Sequence, residues 1–564
     1  MAAHRIVWCA AFLASGAGVI HAQVAKTTAP ITVSDLRFRA SVLADDSTRG
    51  RETGSVGDDM AARYIAAEFA RLGLEPAGEG GTFFQTVPME VRAIDWTATT
   101  LRMSAATLRP RRDYLPLPSR GNLPWSPTRE LRRTETVFGG TIADSTHWID
   151  SATANGRLVV LRVPTALGSR AGFVLNAGIP GRFAGAAGIA LVALDVTPTN
   201  YVEFLSQPVM RLAAPGTGAT DPADMPSLLL LSNNIAQRMF GAAIDSLAVG
   251  QFGTRVGGGM AFKRGPTEAP ARNVVAILRG SDAARRETYV SISAHHDHVG
   301  VAPRAEDHDS LRAYMHAYER FRQASPTLVV TPAQAASIHV NVDSLRRVRP
   351  ARRDSIFNGA DDDISGTIAM LEIAEQFASM NRPRPKRSIL FLAHTGEERG
   401  LLGSGWYSTH PTVPIDSIVA EIDMDMVGRG AAPDLEGGGD DYLELIGSRR
   451  QSTAFGDLID TLNAKRARPF RINYAYDAHD HPEGDWCRAD HYSYARFGIP
   501  AAAFSTSYHG DYHQVTDEAE YLDYPHLASI AGFVGDIAAT VANLDQRPVL
   551  DKPKPANPFA RCVQ

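Results

Sequence analysis

Cysteine is scarce, with 3 in 564 residues. One of them, Cys9, lies inside an apolar N-terminal stretch, too close to the start to serve as a lipid-attachment cysteine. Only Cys487 and Cys562 remain in the body of the chain, so at most one bridge is available. An oxidising compartment permits it, and two free thiols are the alternative. Long blocks of like charge are also missing. Lys and Arg total 57, Asp and Glu 62, and the formal net charge is -5. A chain without a basic block or a positive excess is not expected to bind nucleic acid. No internal repeat is visible. Beyond the first residues no run reads as long and apolar enough to span a membrane, so stable membrane insertion is not expected.

What is present begins with length. A chain of 564 residues exceeds one compact core, and two or three domains are expected. Residues 1–22 read as a signal peptide. His4 and Arg5 precede an apolar run from Ile6 to Ile20, and Ala22 offers a cleavage point before Gln23. An uncleaved anchor is the alternative, but the run is roughly 15 residues where about 20 are needed. A secreted or periplasmic location follows.

Residues 23–112 read as the N-terminal part of the main domain, with a helix over Met60 to Leu72 ended by Gly73. Residues 113–259 have another character. Leu158 to Val163, Ile189 to Leu194 and Pro226 to Leu231 are predicted strands. Phe183 to Ala187 is a predicted short helix, and another helix starts at Ile235. No catalytic residue types cluster there. From residue 260 to 545 strands and helices alternate. Strands are predicted at Asn273–Leu278, Tyr289–Ser293, Ser388–Ala393, Ile418–Met424 and Pro500–Ser505. Helices are predicted at Gly366–Ala378, Thr453–Lys465 and His526–Leu544. Such alternation implies an α/β fold with a mainly parallel sheet covered by helices. Val301 to Phe357 interrupts the pattern as a polar, partly helical surface segment. Residues 546–564 form a proline-bearing extended tail.

Five segments place His, Asp and Glu where strands should end. In Ala294-His295-His296-Asp297-His298-Val299-Gly300, a His just past a strand can present a ring nitrogen to a metal, and Asp297 can orient it. In Asn358-Gly359-Ala360-Asp361-Asp362-Asp363, three acids repel one another and a cation relieves the repulsion. An acidic helix start reads equally well. In Gly396-Glu397-Glu398-Arg399-Gly400, one carboxylate can bind metal while its neighbour takes a proton from water. In Glu421-Ile422-Asp423-Met424-Asp425, alternation inside an apolar strand puts both Asp on one face, where burial demands compensation. In Ser507-Tyr508-His509-Gly510-Asp511-Tyr512-His513, a His, a phenol and an acid share one loop.

The order of the five resembles the co-catalytic di-zinc aminopeptidases, the family of aminopeptidase Y, bacterial leucyl aminopeptidases and the more distant glutamate carboxypeptidases. The shared run is H-x-D, N-G-A-D-D, G-E-E-x-G-L-x-G-S, D-M-[IV]-G and D-Y-H-x-x-x-D, including Leu401, Leu402, Gly403 and Ser404 after the paired Glu. The resemblance covers nearly all of Ala271 to Leu544. It implies a zinc-exopeptidase (phosphorylase/hydrolase-like) three-layer α/β sandwich. Residues 113–259 resemble a small inserted protease-associated domain. By resemblance the ligands of two zinc ions are His295, Asp361, Glu398, Asp425 and His513, with Asp361 bridging and Asp362 next to it in a tight turn. Cobalt or manganese are possible substitutes. Glu397 would be the general base, Asp297 the residue orienting His295, and Tyr512 the phenol supporting the oxyanion. Asp363 and Asp423 stand where the family usually has Asn. His296, His298, His394 and His509 are surplus imidazoles, expected outside the ligand set.

The implied activity is removal of N-terminal residues from peptides. Alternatives are a carboxypeptidase of the glutamate carboxypeptidase type, for which Arg399, Arg429 or Arg488 could hold a carboxylate, and a non-catalytic binding protein on the same fold. A glutaminyl cyclase, acting with one zinc, fits less well. Side-chain preference and oligomeric state are not encoded in any recognisable pattern.

Overall fold

The computed structural model describes residues 27–118, 126–142, 144–164, 178–213, 226–379, 384–431, 433–435, 437–560 and 562–564. The signal-peptide stretch and Cys9 lie outside the described residues.

A nine-stranded sheet forms the main domain. Its strands are β1 (Glu75–Pro76), β2 (Phe84–Thr86), β3 (Arg272–Leu278), β4 (Tyr289–His295), β5 (Ser388–His394), β6 (Ile418–Met424), β7 (Tyr442–Ile446), β8 (Arg471–Asn473) and β9 (Ala501–Ser505). The spatial order is β1-β3-β5-β4-β6-β9-β7-β8, with β2 also on β3. The four central strands, β5, β4, β6 and β9, are mutually parallel. Antiparallel pairings flank them on both sides. The sheet is therefore mixed, with a parallel heart.

Alternation along the strands shows why the sheet is covered twice. On β3, Val274, Ala276 and Leu278 enter the core on one face, while Val275 and Ile277 enter a second core on the other. Near-continuous apolar strands are what a doubly covered sheet requires. The first face is packed by α1 (Val33–Leu43), α2 (Val56–Arg71), α4 (Gly366–Ala378) and α5 (Tyr524–Asn543). The second face carries the short helices Leu402–Thr409 and His491–Ala495, which contribute Tyr407 and Tyr494. α2 starts four residues before its apolar stripe because Ser55 caps it and Asp58 and Asp59 occupy its first turn. By length and composition α5 could cross a membrane, with a mean hydropathy of 1.2. That corrects the expectation that no later segment has this character. In the fold 61% of the stretch is buried, so its apolarity serves the core. Arg39 of α1, fully buried, pairs with Glu68 of α2 and with Glu372 and Glu375 of α4, which ties the N-terminal helices to the rest of the domain.

A separate eight-stranded sheet occupies the middle of the chain. Its inner strands Leu158–Arg162, Gly188–Val192 and Ser227–Leu231 are parallel and buried. Thr100–Met103 belongs to this sheet through pairing with Phe252–Met260, and Ala106–Thr107 through pairing with Thr100–Met103, so the unit starts before residue 113. Phe183–Ala187, expected as a helix, is a turn. The helix lies earlier, at Gly178–Arg182, and Gly185 sits where a Cβ would meet Asn155 Oδ1 at 2.6 Å. Residues 301–357 form a two-stranded hairpin, Val301–Asp307 with Arg353–Ile356, carrying α3 (His308–Gln323) and two shorter helices. Cys487 and Cys562 are bridged, which pins the C-terminal tail to the loop before β9.

Candidate metal centre

All the predicted site residues come from one end of the parallel heart. His295 ends β4, Asp425 follows β6 by one residue, Glu397 and Glu398 follow β5, and His513 lies on the loop after β9. Ligand sites of open α/β sheets characteristically lie outside the carboxyl ends of the strands. The sixth contribution, Asp361-Asp362-Asp363, sits in the turn that opens α4, where the helix dipole favours negative charge.

Two groups of donors face each other there. His298, Asp362, Glu398 and His513 each offer an atom within 4.8 Å of the others, and His295, Asp363 and Asp425 do the same beside them. Asp362 spans both. One of its carboxylate oxygens is 3.2 Å from His295 Nε2 and the other 3.0 Å from His513 Nε2. Glu398 Oε2 is 3.1 Å from His513 Nε2, and Asp425 is 3.7 Å from His295 Nε2.

Asp361, expected to bridge, is turned elsewhere. Its carboxylate accepts from Gly428 N at 2.7 Å and stands 3.0 Å from His509 Nε2. Asp361 and Asp363 are both held by backbone N–H groups of the loop after β6, those of Gly428 and Met426 respectively. Asp363 accepts from Met426 N, Gly366 N and His295 N, which is how an acid is accommodated at this place. Asp362, between them, reaches both His295 and His513. Asp361 acts as a brace, and Asp517 secures the turn by accepting from the N–H groups of Asp361 and Asp362.

The electrostatics call for a cation. Burial disfavours charge on His513, yet Glu398 and Asp362 overcome it and raise the imidazole to about 10. Burial likewise opposes ionisation of Glu398, but His513 brings it down to about 2. Asp425 is pushed up to about 6, chiefly by burial. A pocket that must draw protons onto its imidazoles has a strongly negative potential, which a divalent ion satisfies in their place. His295 Nε2, both ring nitrogens of His298 and Glu398 Oε1 are buried and complete no hydrogen bond. Orphaned donors converging on one space fit a metal, and an all-nitrogen-and-oxygen set suits first-row divalent ions.

Parts of the chain are similar to known proteins. The model of Peptidase family M28 matches residues 335–538. Over this segment, a little more than a third of the chain, the protein is similar to Peptidase family M28. A probable zinc metalloprotease of Pyrenophora tritici-repentis is 42% identical over 77 residues, 14% of this chain and 17% of that protein. Aminopeptidase Y of Saccharomyces cerevisiae is 25% identical over 207 residues, 34% of this chain and 35% of that one. The matches thus span no more than about a third of these curated relatives' lengths. Among solved structures, the aminopeptidase from Aneurinibacillus sp. strain AM-1 has a TM-score of 0.49 at 16% identity, covering 93% of this chain and 97% of that one.

The matched segment contains Asp361, Asp362, Glu397, Glu398, Asp425, Tyr512 and His513, but part of their support comes from outside it. Fully buried Arg51 donates to the carbonyls of His296, Asn358 and Gly359, clamping the first two motif loops together. Nothing in the sequence around Arg51 marks this role. Asp297 supports the site differently than expected. Its main-chain oxygen lies 3.1 Å from His295 Nδ1, while its carboxylate accepts from Thr53 and from Glu397 N. Asp297 thereby orients both the imidazole and the Glu397 backbone. Glu397 Oε2 is 4.0 Å from His295 Nε2. Burial raises its carboxyl well above the usual range, and Asp425 and Glu398 add to this against the pull of His295. Tyr512 stacks on His513 with ring centres 4.0 Å apart. Of the surplus imidazoles, His296 faces Asp58, His394 meets Tyr494 and His509 meets Asp361. Only His298 enters a donor group.

Proposed function

We propose that this chain is a two-zinc aminopeptidase that removes N-terminal residues from peptides. The observation that carries the reading is Asp362, whose two carboxylate oxygens each face a different set of donors. His295, Asp362 and Asp425 would hold one ion, and Asp362, Glu398 and His513 the other. Cobalt or manganese could take their place. When bound, the ions acidify water and polarise the scissile carbonyl. Glu397 takes the proton at Oε2 and returns it to the leaving amine, its backbone held in place by Asp297. Tyr512, with Arg488 donating to its hydroxyl at 3.4 Å, places an O–H for the developing oxyanion.

Trimming from the amino end is favoured by how the candidate arginines are spent. A C-terminal carboxylate needs a free guanidinium, but Arg429 is buried against Asp434 and Asp511, and Arg399 pairs with Glu52. Arg488 pairs with Glu483 besides its contact with Tyr512. The N-terminal signal and the Cys487–Cys562 bridge support secretion or export to the periplasm. Metal analysis combined with matched peptides bearing free or blocked amino ends tests the reading. Two zinc ions per chain and chelator-sensitive release of N-terminal residues are expected. Release from the carboxyl end, or turnover untouched by chelation, overturns it.

A further inference from the structure

Within that two-zinc reading, we propose that His298 is itself a metal donor, which makes the two ions unequal. The ion beside Glu398 would have four protein donors, His298, Asp362, Glu398 and His513. The ion beside Asp425 would have His295, Asp362 and Asp425.

Three observations lead there. First, His298 is fully buried, and neither ring nitrogen completes a hydrogen bond. A buried imidazole without partners costs free energy unless something else binds it. Second, its Nδ1 lies 2.7 Å from Glu398 Oε1, an atom that also completes no hydrogen bond. Asp362 and His513 each bring a donor atom within 4.8 Å of these two, which completes the group. Third, the chain is built to bring the ring there. Gly359 adopts φ +50°, and a Cβ on it would meet His298 Cγ and Cδ2 at 2.6 Å. The glycine of Asn358-Gly359-Ala360 thus makes room for this imidazole. His298 N donates to Arg51 O at 3.0 Å, which fixes the backbone from the other side.

The other donor group lacks an equivalent. Asp363 is within reach of His295 and Asp425, but its carboxylate already accepts three backbone N–H groups. A zinc site with four protein donors is closed, whereas one with three keeps a position for water or substrate. The ion near Asp425 is therefore the exchangeable one, and the ion near Glu398 is the more firmly held.

X-ray absorption on the intact two-zinc protein tests this without any variant. Three imidazoles shared between two zinc ions are expected. Two imidazoles would overturn the proposal while leaving the two-zinc reading intact, and fewer than two zinc ions per chain would overturn both. A second arm uses His298→Gln, with circular dichroism to verify folding. Zinc content should fall from two ions per chain toward one. In the metal titration the tighter site should weaken by more than the roughly 10–100-fold that loss of an outer hydrogen-bond partner causes. A folded His298→Gln protein that keeps both ions at unchanged affinity overturns the assignment.

Discussion

The chain contains two parallel-stranded sheets, and only one of them carries chemistry. In the middle unit, Leu158–Arg162, Gly188–Val192 and Ser227–Leu231 lie parallel and buried, much like β4, β5 and β6. Among the described residues, their ends run into Val163, Ala193 and Ser232. The ends of β4, β5 and β6 instead run into His295, Glu397, Glu398 and Asp425. Parallel pairing provides a rigid edge, and the loops placed on that edge decide whether anything happens there. The main sheet also accepts polar groups inside its strands. Glu421 and Asp423 are buried, and Ser293 Oγ lies 2.5 and 2.8 Å from them. Proximity to a charged site costs the main sheet apolar packing that the middle sheet keeps.

This contrast can be broken at graded depth. The largest effect is expected from Asp362→Ala, which removes the carboxylate shared by both donor groups. Activity should vanish together with bound metal, whereas Asp361→Asn should retain metal, as read by elemental analysis. Glu397→Ala comes next. It should lower kcat by about 10²–10⁴-fold with metal content unchanged, and surviving full activity would remove Glu397 as the base. Arg39→Ala leaves buried Glu372 without its ion-pair partner, while Glu68 and Glu375 keep Arg71, and should cost about 3–5 kcal/mol in denaturant unfolding of the main domain. In the middle sheet, Leu229→Ala empties a fully buried position and should cost about 2–5 kcal/mol. kcat on short peptides should be preserved as long as the chain is folded, and a large loss would show that the middle unit shapes the site.

The smallest effect concerns pH. Burial holds His394 down to about 3 against an ordinary value of 6.5. The unfolded chain therefore takes up a proton at His394 before the folded one does. Its contribution to stability is complete above pH 6.5 and is lost as pH falls toward 3. Melting temperatures of the parent and of His394→Gln should converge as pH is lowered through this window, by a degree or two per pH step at most.

Much of the main domain can be read directly from residue patterns. Gly366–Ala378 and Ile418–Met424 have the bounds that their apolar periodicity predicts, because long, strongly patterned elements leave one face choice only. The turn at Phe183–Ala187 was less legible: small residues support a helix and a tight approach equally well, and contact with Asn155 selects the latter. At the site, residue types and their order announce a metal centre, but the three-acid run is ambiguous by one position. Backbone N–H groups of the loop after β6 hold Asp361 and Asp363 and leave Asp362 to His295 and His513, and nothing in the run itself announces that choice.

What the amino-acid order determines by itself is therefore the set of strands and helices, the motif loops at their ends and the class of side chain each loop carries. Hydrophobic periodicity and chain sense are local properties, written in neighbouring residues. Which carboxylate spans the two donor groups, which surplus imidazole joins them and which arginine clamps the loops were decided only in three dimensions. Those choices depend on N–H groups supplied by Gly428 and Met426, on space left by Gly359 and on carbonyls gathered around Arg51. The partners lie tens to hundreds of residues apart, and packing alone brings them within reach.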